Sequence, residues 1–322
     1  MEISVIITQM VKLFLILCLG YALARLELLD QHTKQKLTKI LLHVTTPLMM
    51  IDAFYDRMNM LNTQQTDTSE SVGMLFLYSF ASYFLMILLS LILTALMRPS
   101  KSDKRLYIFM TIFGNVGFMG FPVVQSVYGT EGLFYAAILN SVFNILVYTI
   151  GVILMGGTAQ ASGGSIQETV RQIPWKKLLL TPAVIGTAVG ILIFVCRIPL
   201  PDVVADTCGT LGDLTSPLAM LIVGANLSGM KYKNVLTNMR MNIYVLLRQF
   251  VLPLVFWFII RGFVKHDVLA PTLLLMSCMP VANTTALFAT EYNGNETLAS
   301  QGIFLTTLVS LISFPLIIWI CV

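Results

Sequence analysis

The sequence contains very little charge. Lys and Arg number 20 and Asp and Glu 16 among 322 residues, so charged residues make up only 11% of the chain, whereas soluble domains carry about 25%. Hydrophobic residues make up 57%. So few charges cannot provide the polar surface of a large soluble domain, and the composition therefore predicts a protein embedded in a membrane.

The sequence also lacks the residue patterns that bind metals or hydrolyse substrates. The five cysteines show no C-x-x-C spacing, so neither a zinc site nor a disulfide framework is expected. No H-E-x-x-H motif is present. Asp56 and Asp213 match an intramembrane aspartyl protease poorly, because Leu211 stands where that enzyme class needs glycine. We therefore expect no enzyme activity, no metal and no cofactor.

Long apolar runs dominate the chain instead. A membrane-spanning helix needs about 20 mostly apolar residues. Ten such segments, numbered 1 to 10 in order, occur at residues 4–23, 34–54, 73–97, 106–127, 132–155, 177–196, 203–227, 241–264, 269–290 and 298–321. The first has no clear A-x-A site and is interpreted as a span rather than a cleaved signal peptide. The predicted fold class is an all-α polytopic membrane protein with ten transmembrane helices.

The basic residues predict how the chain is oriented, because cytoplasmic loops carry an excess of Lys and Arg. Fourteen basic residues lie in the loops after segments 1, 3, 5 and 7, whereas the opposite side has only Arg57, Arg197, Arg261 and Lys265. Both termini are therefore expected to be extracellular or periplasmic, in a plasma membrane or a bacterial inner membrane. The net charge of +4 marks the cytoplasmic side in such a chain, so no nucleic-acid partner is expected.

The two halves of the chain resemble each other at two places. Segment 2 contains VTTPLMMI (Val44–Ile51) and segment 7 contains LTSPLAML (Leu214–Leu221), at an offset of 170. GNVGFMG in segment 4 and ANTTALFA in segment 9 are related by an offset of 168, which aligns Asn115 with Asn283. Each repeat has five spans. Because five is an odd number, the second repeat starts on the opposite side of the membrane from the first and is therefore inverted. We expect a first repeat over 1–155, a cytoplasmic linker over 156–176 and a second repeat over 177–322.

Segments 4 and 9 carry helix breakers in their middle. Segment 4 has Gly114, Asn115 and Pro122, and segment 9 has Pro280 shortly before Asn283. Proline removes a helical N–H and clashes with the carbonyl four residues back, and the freed groups are tolerated only inside protein or beside a wet cavity. We predict helices that are interrupted near 115–122 and 280–284 and cross at the midplane. Inverted repeats with such helices are typical of secondary transporters, and helix N-termini there would suit a carboxylate.

The GNVGFMGFP stretch of segment 4 and the PVAN stretch of segment 9 resemble the auxin efflux carrier family, which includes plant PIN carriers and bacterial malonate-type permeases. The resemblance covers essentially the whole chain. It implies a crossover of helices 4 and 9 similar to that of bile-acid symporters, a scaffold of helices 1, 2, 6 and 7, a transport domain of helices 3–5 and 8–10, a homodimer and an elevator-like movement. The family's substrate-site residues correspond to Asn115, Asn144 and Tyr148.

The predicted substrate site combines residues at the two interruptions with residues on neighbouring segments. Its members are Asn115, Asn283, Asn144, Tyr148, Gly114, Thr284 and Thr46, with Pro122 and Pro280 as the helix breaks. Two alternatives stay open. The asparagines at the interruptions could instead bond freed carbonyls, and the polar stripe on segment 5 could join neighbouring helices.

Four ionisable residues lie within apolar segments, where such groups indicate function by default. Lys12, His43, Asp213 and Arg248 are therefore candidates for proton or charge coupling. Alternatively, Lys12 and Arg248 extend towards the membrane surfaces and His43 is a packing residue. Neither interrupted segment contains Lys, Arg or His in its apolar stretch, so the sequence predicts that an anion is held there by helix N-termini and amides rather than by a salt bridge.

Three functions are compatible with these features. The first is a secondary active or facilitative transporter of small organic anions, auxin-like or malonate-like mono- or dicarboxylates. A cation–proton antiporter would need carboxylates at the crossing point, and none occurs from Leu106 to Ser126 or from Leu269 to Thr290. The third is a transporter-like receptor, a class that usually carries an extra signalling domain. The expected partners are the organic anion, the lipid bilayer and a second copy of the chain, contacting through segment 2 or segment 7.

Overall fold

The structure, a computed structural model, describes residues 3–64, 72–156, 180–229 and 238–321. These residues are helical apart from turns, short connections and one isolated bridge, so the predicted all-α class is confirmed. Within the described ranges, seven helical stretches are long and apolar enough to span a membrane, and two shorter apolar helices accompany them. Apart from Gly156, the predicted linker over 156–176 lies outside the described residues, and the ten-helix inverted repeat stays a prediction.

The helices are numbered here in chain order. Their bounds are α1 Ile3–Arg25, α2 Gln31–Ile40, α3 Thr46–Gln64, α4 Val72–Met97, α5 Lys104–Ile112, α6 Phe121–Leu146, α7 Val152–Gly156, α8 Pro182–Cys196, α9 Asp202–Asp213, α10 Thr215–Ser228, α11 Met239–Leu246, α12 Leu252–Phe263, α13 Leu269–Cys278, α14 Thr284–Glu291 and α15 Glu296–Cys321. In the described part of the chain, four π-helical turns lead into the helices that follow them, at Leu41–Thr45, Val116–Gly120, Val147–Gly151 and Leu247–Val251.

Proline explains the position of three of these π-helical turns. They end directly before Thr46-Pro47, Phe121-Pro122 and Leu252-Pro253. A proline ring in a regular helix clashes with the carbonyl four residues earlier and leaves that carbonyl without a donor. One extra residue in the preceding turn moves the carbonyl away while the helix continues, which is the geometry of a π-bulge.

The helix boundaries follow breakers more closely than they follow hydrophobicity. Segments 4 and 5 are separated at Gly129, whose φ of 61° and ψ of −152° are not helical. Helix α3 continues to Gln64, beyond the apolar segment that ends at residue 54. The residues between 55 and 64 are mostly polar but include no Gly or Pro, so nothing there ends the helix.

The described residues form two compact units, each considered by itself. The first comprises Met1–Leu77, Gly117–Ser141 and Lys176–Gly229. Within it α1 packs along α10, and α3 packs against both α8 and α9.

Glycine allows α1 and α10 to approach each other closely. A Cβ atom at Gly20 would overlap the backbone of Leu221, and a Cβ atom at Gly224 would overlap the backbone of Leu17. Association of membrane helices depends on packing, because lipid gives no hydrophobic driving force between them. These two glycines therefore set the distance between the two helices.

The substitution Gly224→Ala is expected to lower the thermal stability of the protein in detergent. The added methyl group overlaps the backbone of α1, and overpacking of this kind typically costs about 1–3 kcal/mol. The measurement is the melting temperature of the purified protein. Gly262→Ala is the control, because no atom lies within 4 Å of a Cβ at that position. Equal melting temperatures for the two variants would contradict the close contact.

Polar contacts connect α6 with α3, α9 and α10 inside the first unit. The Arg57 side chain forms an ion pair with Glu131 at 2.9 Å and donates to the Tyr135 hydroxyl at 3.1 Å. Gln125 donates to the Asp213 carboxylate at 3.1 Å and accepts from the Ser216 hydroxyl at 2.6 Å. These contacts fix the part of α6 that belongs to this unit.

The second unit comprises Tyr78–Val116, Val142–Trp175 and Met230–Val322. The long helix α15 lies at its centre and contacts α5, α11, α12, α13 and α14. The aromatic rings of Phe109 and Phe288 pack together with their centroids 5.0 Å apart. This unit contains both interruptions and is where the site is built.

Candidate functional site

The two interruptions pair with each other through their backbones. Helix α5 ends at Ile112 and α13 at Cys278, and neither Phe113–Asn115 nor residues 279–283 are helical. The Asn115 N–H donates to the Pro280 carbonyl at 2.7 Å, and the Ala282 N–H donates to the Phe113 carbonyl at 3.1 Å. Segment 9 is therefore interrupted close to the predicted stretch 280–284, whereas the interruption of segment 4 lies at Phe113–Asn115 and not over the predicted stretch 115–122, because a π-helical turn carries the helix past Pro122. Each interruption satisfies backbone groups that the other has freed, as buried backbone requires.

Close approach of the two chains explains the glycine at position 114. A Cβ atom at Gly114 would lie 3.1 Å from the Met279 carbonyl oxygen, so a larger residue would push the two stretches apart. Met279 is extended (φ −54°, ψ 139°), the conformation that a following proline imposes. The next free N–H, that of Val281, donates to the Thr306 hydroxyl on α15 at 3.0 Å.

The two paired stretches, Phe113–Asn115 and residues 279–283, are called the crossover below. Arg248 reaches this crossover from the π-helical turn after α11. Its side chain is fully buried, and its two terminal nitrogens donate to the carbonyls of Ser277 at 2.9 Å and Met279 at 3.2 Å. A Cβ atom at Gly114 would lie 3.5 Å from the same guanidinium. The C-terminal carbonyls of a helix carry partial negative charge, so Arg248 caps the end of α13 at the point where Pro280 breaks the segment.

No carboxylate among the described residues neutralises the charge of Arg248. Among the residues that the structure describes, Arg57 and Glu131 make the only ion pair, and the Arg248 Nε atom has no hydrogen-bond partner. The Tyr244 hydroxyl, one turn earlier, is a neutral neighbour that bonds Thr111 at 3.2 Å. Burying a cation without a counter-ion is costly, and the bonds to the Ser277 and Met279 carbonyls offset part of that cost.

The second unit also holds most of the predicted substrate-site residues. Asn115 and Asn144 are buried, at 5% and 9% exposed. Asn283 directly precedes α14 without capping it by its side chain, and the buried Thr284 hydroxyl has no partner. The half-buried Tyr148 packs its ring 6.3 Å from that of Phe288. Their roles in binding stay predictions.

The remaining predicted residues lie in the first unit. Thr46 is buried with an unpartnered hydroxyl, and Pro122 lies at the start of α6. Lys12 and His43 are exposed on the outside of their helices, and the His43 ring lies 3.0 Å from the Lys39 carbonyl. Asp213 is exposed as well and accepts from Gln125. Of the four ionisable candidates, only Arg248 is buried.

Sequence reasoning missed two features of the crossover. The sequence permits Arg248 to extend towards a membrane surface, yet its head group lies against the interrupted part of segment 9. No pattern in the sequence indicates Thr306, whose hydroxyl accepts the Val281 N–H. The sequence does contain a signal for Arg248: the polar pair Arg248-Gln249 lies in the middle of an apolar segment, where such groups are costly. In the structure both side chains are fully buried.

Several long apolar helices and two interruptions that pair through their backbones indicate a polytopic membrane protein. The family described as "Membrane transport protein" matches residues 5–318. The chain therefore belongs to this family of membrane transport proteins, and the resemblance to auxin efflux carriers is confirmed.

Two relatives carry the same general description. An uncharacterized transporter of Methanothermobacter thermautotrophicus is 24% identical over 202 residues, which is 63% of this chain and 63% of the relative. An uncharacterized transporter of Methanocaldococcus jannaschii is 27% identical over 218 residues, which is 66% of this chain and 67% of the relative. The chain thus spans slightly less than two thirds of the length of the first relative.

Proposed function

We propose that the protein is a secondary active or facilitative transporter of small organic anions of the mono- or dicarboxylate class. The observation that carries this proposal is the buried guanidinium of Arg248 beside the crossover, which forms no ion pair with any residue that the structure describes. A carboxylate that enters the site gains a counter-ion there, whereas a cation is repelled. In a water-poor interior this difference is much larger than in solution.

The positive charge of Arg248 and the lack of carboxylates in the interrupted segments argue against cation–proton exchange. That chemistry relies on carboxylates at the crossing point to bind the ion. The interrupted segments contain no Asp or Glu from Leu106 to Ser126 or from Leu269 to Thr290, and the charge beside them is positive. An organic anion complements this arrangement directly.

The wider mechanism proposed is alternating access by an elevator movement. The two repeats would be inverted, with ten transmembrane helices and both termini extracellular or periplasmic in the plasma membrane or bacterial inner membrane. Helices 3–5 and 8–10 would carry the substrate past a scaffold of helices 1, 2, 6 and 7, and the scaffold would form a homodimer through segment 2 or segment 7. The membership of the chain in a transport family and the paired interruptions support this mechanism.

Uptake into proteoliposomes tests the proposed substrate class. The purified full chain is expected to catalyse saturable uptake of a radiolabelled mono- or dicarboxylate, and excess unlabelled carboxylate should compete. The amine analogue of each compound, in which the carboxylate is replaced by an ammonium group, should neither enter nor compete. Uptake of the amines in preference to the carboxylates would contradict the proposal. Saturable binding without any flux would indicate a receptor instead.

A further inference from the structure

A cavity of about 460 Å³ lies in the second unit, away from the crossover residues described above. It is formed where α12 ends, where α13 begins and where α15 ends, so the ends of two membrane-spanning helices meet there. Its lining includes Trp257, Arg261, Lys265, His266, Asp267 and Cys321. Its volume is within the range of cavities that bind small ligands, about 300–1,000 Å³.

The charged side chains that line the cavity carry more positive than negative charge. Arg261 and Lys265 contribute two positive charges and Asp267 one negative charge, which leaves one net positive charge with His266 neutral. Neither Arg261 nor Lys265 forms an ion pair with any residue in the described part of the chain. The Arg261 guanidinium lies over the Trp257 ring, 5.8 Å from its centroid.

His266 has a structural task at the edge of the cavity. Its Nδ1 atom accepts the backbone N–H groups of Val268 at 3.2 Å and Leu269 at 3.1 Å, and so caps the beginning of α13. The free cationic donors in the cavity are therefore Arg261 and Lys265.

Large apolar side chains are exposed on the two helices whose ends form the cavity. Phe258 and Phe263 on α12 are 73% and 76% exposed, and Trp319 and Ile320 on α15 are 61% and 52% exposed. In a polytopic membrane protein such side chains face lipid, and tryptophan is enriched where the acyl chains meet the head groups. Because the cavity lies where two membrane-spanning helices end, we expect it at the level of the lipid head groups, with the exposed apolar side chains of α12 and α15 facing the acyl chains.

We propose that this cavity binds the head group of an anionic phospholipid. Arg261 and Lys265 hold its phosphate, and the exposed aromatic residues of α12 and α15 contact its acyl chains. A free anion would match the charge of the cavity but would make no use of the adjoining apolar surface. A zwitterionic lipid brings a cation of its own, which the net positive lining disfavours.

Native mass spectrometry of the full-length protein in detergent tests this assignment, with phosphatidylglycerol and phosphatidylcholine of identical acyl chains as probes. The wild type should retain phosphatidylglycerol in preference to phosphatidylcholine. In the variant R261Q/K265Q the apparent affinity for phosphatidylglycerol should fall by up to about fivefold for each charge removed, the value of one exposed ion pair, while retention of phosphatidylcholine stays the same. R197Q is the matched control, because it removes an exposed positive charge outside the cavity and should retain phosphatidylglycerol normally.

Three results would overturn the proposal. The first is equal retention of phosphatidylglycerol by R261Q/K265Q and wild type. The second is an equal loss in R197Q, because the effect would then reflect net charge rather than this cavity. The third comes from titration with inorganic phosphate: if phosphate alone displaces phosphatidylglycerol at equal concentration, the occupant is a free anion and not a lipid. The melting temperature of each variant shows whether it is folded.

Discussion

Arg248→Gln is expected to weaken binding of the transported anion more than any other single substitution outside the protein's core packing. Removing one partner of a buried charge interaction typically costs about 2–5 kcal/mol, which is about 30- to 5,000-fold in affinity. Glutamine can still donate to one of the two carbonyls that Arg248 bonds, at Ser277 and Met279. The variant therefore tests the charge of Arg248 while preserving part of the cap on α13.

Two further variants separate the charge of Arg248 from its structural contribution. Arg248→Lys keeps the charge but not the planar fork that bonds two carbonyls at once, so it should bind the anion better than Arg248→Gln even if its melting temperature is lower. Lys12→Gln removes an exposed charge from an apolar segment and should bind normally. The measurements are anion affinity and melting temperature. Normal affinity in Arg248→Gln with reduced affinity in Lys12→Gln would place the anion elsewhere.

The interruptions could be predicted from the sequence because they are encoded locally. A proline or glycine disrupts a helix wherever the chain passes through the membrane, and the disruption needs no knowledge of neighbouring helices. Gly114, Pro122 and Pro280 therefore correctly identify segments 4 and 9 as the interrupted ones. The location was less accurate in segment 4, where the non-helical residues are Phe113–Asn115 and the stretch before Pro122 is a π-helical turn, because π-helical geometry accommodates that proline without ending the helix.

The position of Arg248 could not be predicted because it depends on tertiary packing. Its bonds to Ser277 and Met279 join residues 29 and 31 positions apart, and no periodicity in the sequence specifies that approach. A long cationic side chain near a helix end can also extend to the membrane surface, so the sequence permits both arrangements. The ion pair between Arg57 and Glu131 was missed for the same reason, since it joins two different helices.

The importance of Arg248 changes what Asn115 variants are expected to show. Asn115 follows Gly114, where a Cβ atom would lie 3.5 Å from the Arg248 guanidinium, and it is itself buried. Asn115→Ala removes a neutral hydrogen-bonding group and should cost about 0.5–3 kcal/mol of binding, depending on whether a substrate group is left unpaired. That range corresponds to about two- to 150-fold in affinity.

Asn115→Asp should weaken anion binding more than Asn115→Ala does, although it preserves the size of the side chain. The new carboxylate would supply the counter-ion that Arg248 lacks among the described residues and would compete with the substrate for it. Because a compensated cation is less costly to bury than an isolated one, the melting temperature should not fall. A loss of binding without a loss of stability identifies competition for the charge, whereas misfolding lowers both.

Asn283→Asp provides the matched comparison at the repeat-related position. Asn283 is half-buried directly before α14, where Asn and Asp serve a helix start about equally well and a negative charge is favoured by the helix dipole. We expect a smaller loss of anion affinity than for Asn115→Asp, because part of the new charge is compensated by the α14 N-terminus rather than by Arg248. Binding and uptake are measured at matched expression for wild type and the Ala and Asp variants of both asparagines. If both Asp variants bind an organic anion as tightly as the wild type, the crossover does not hold the anion.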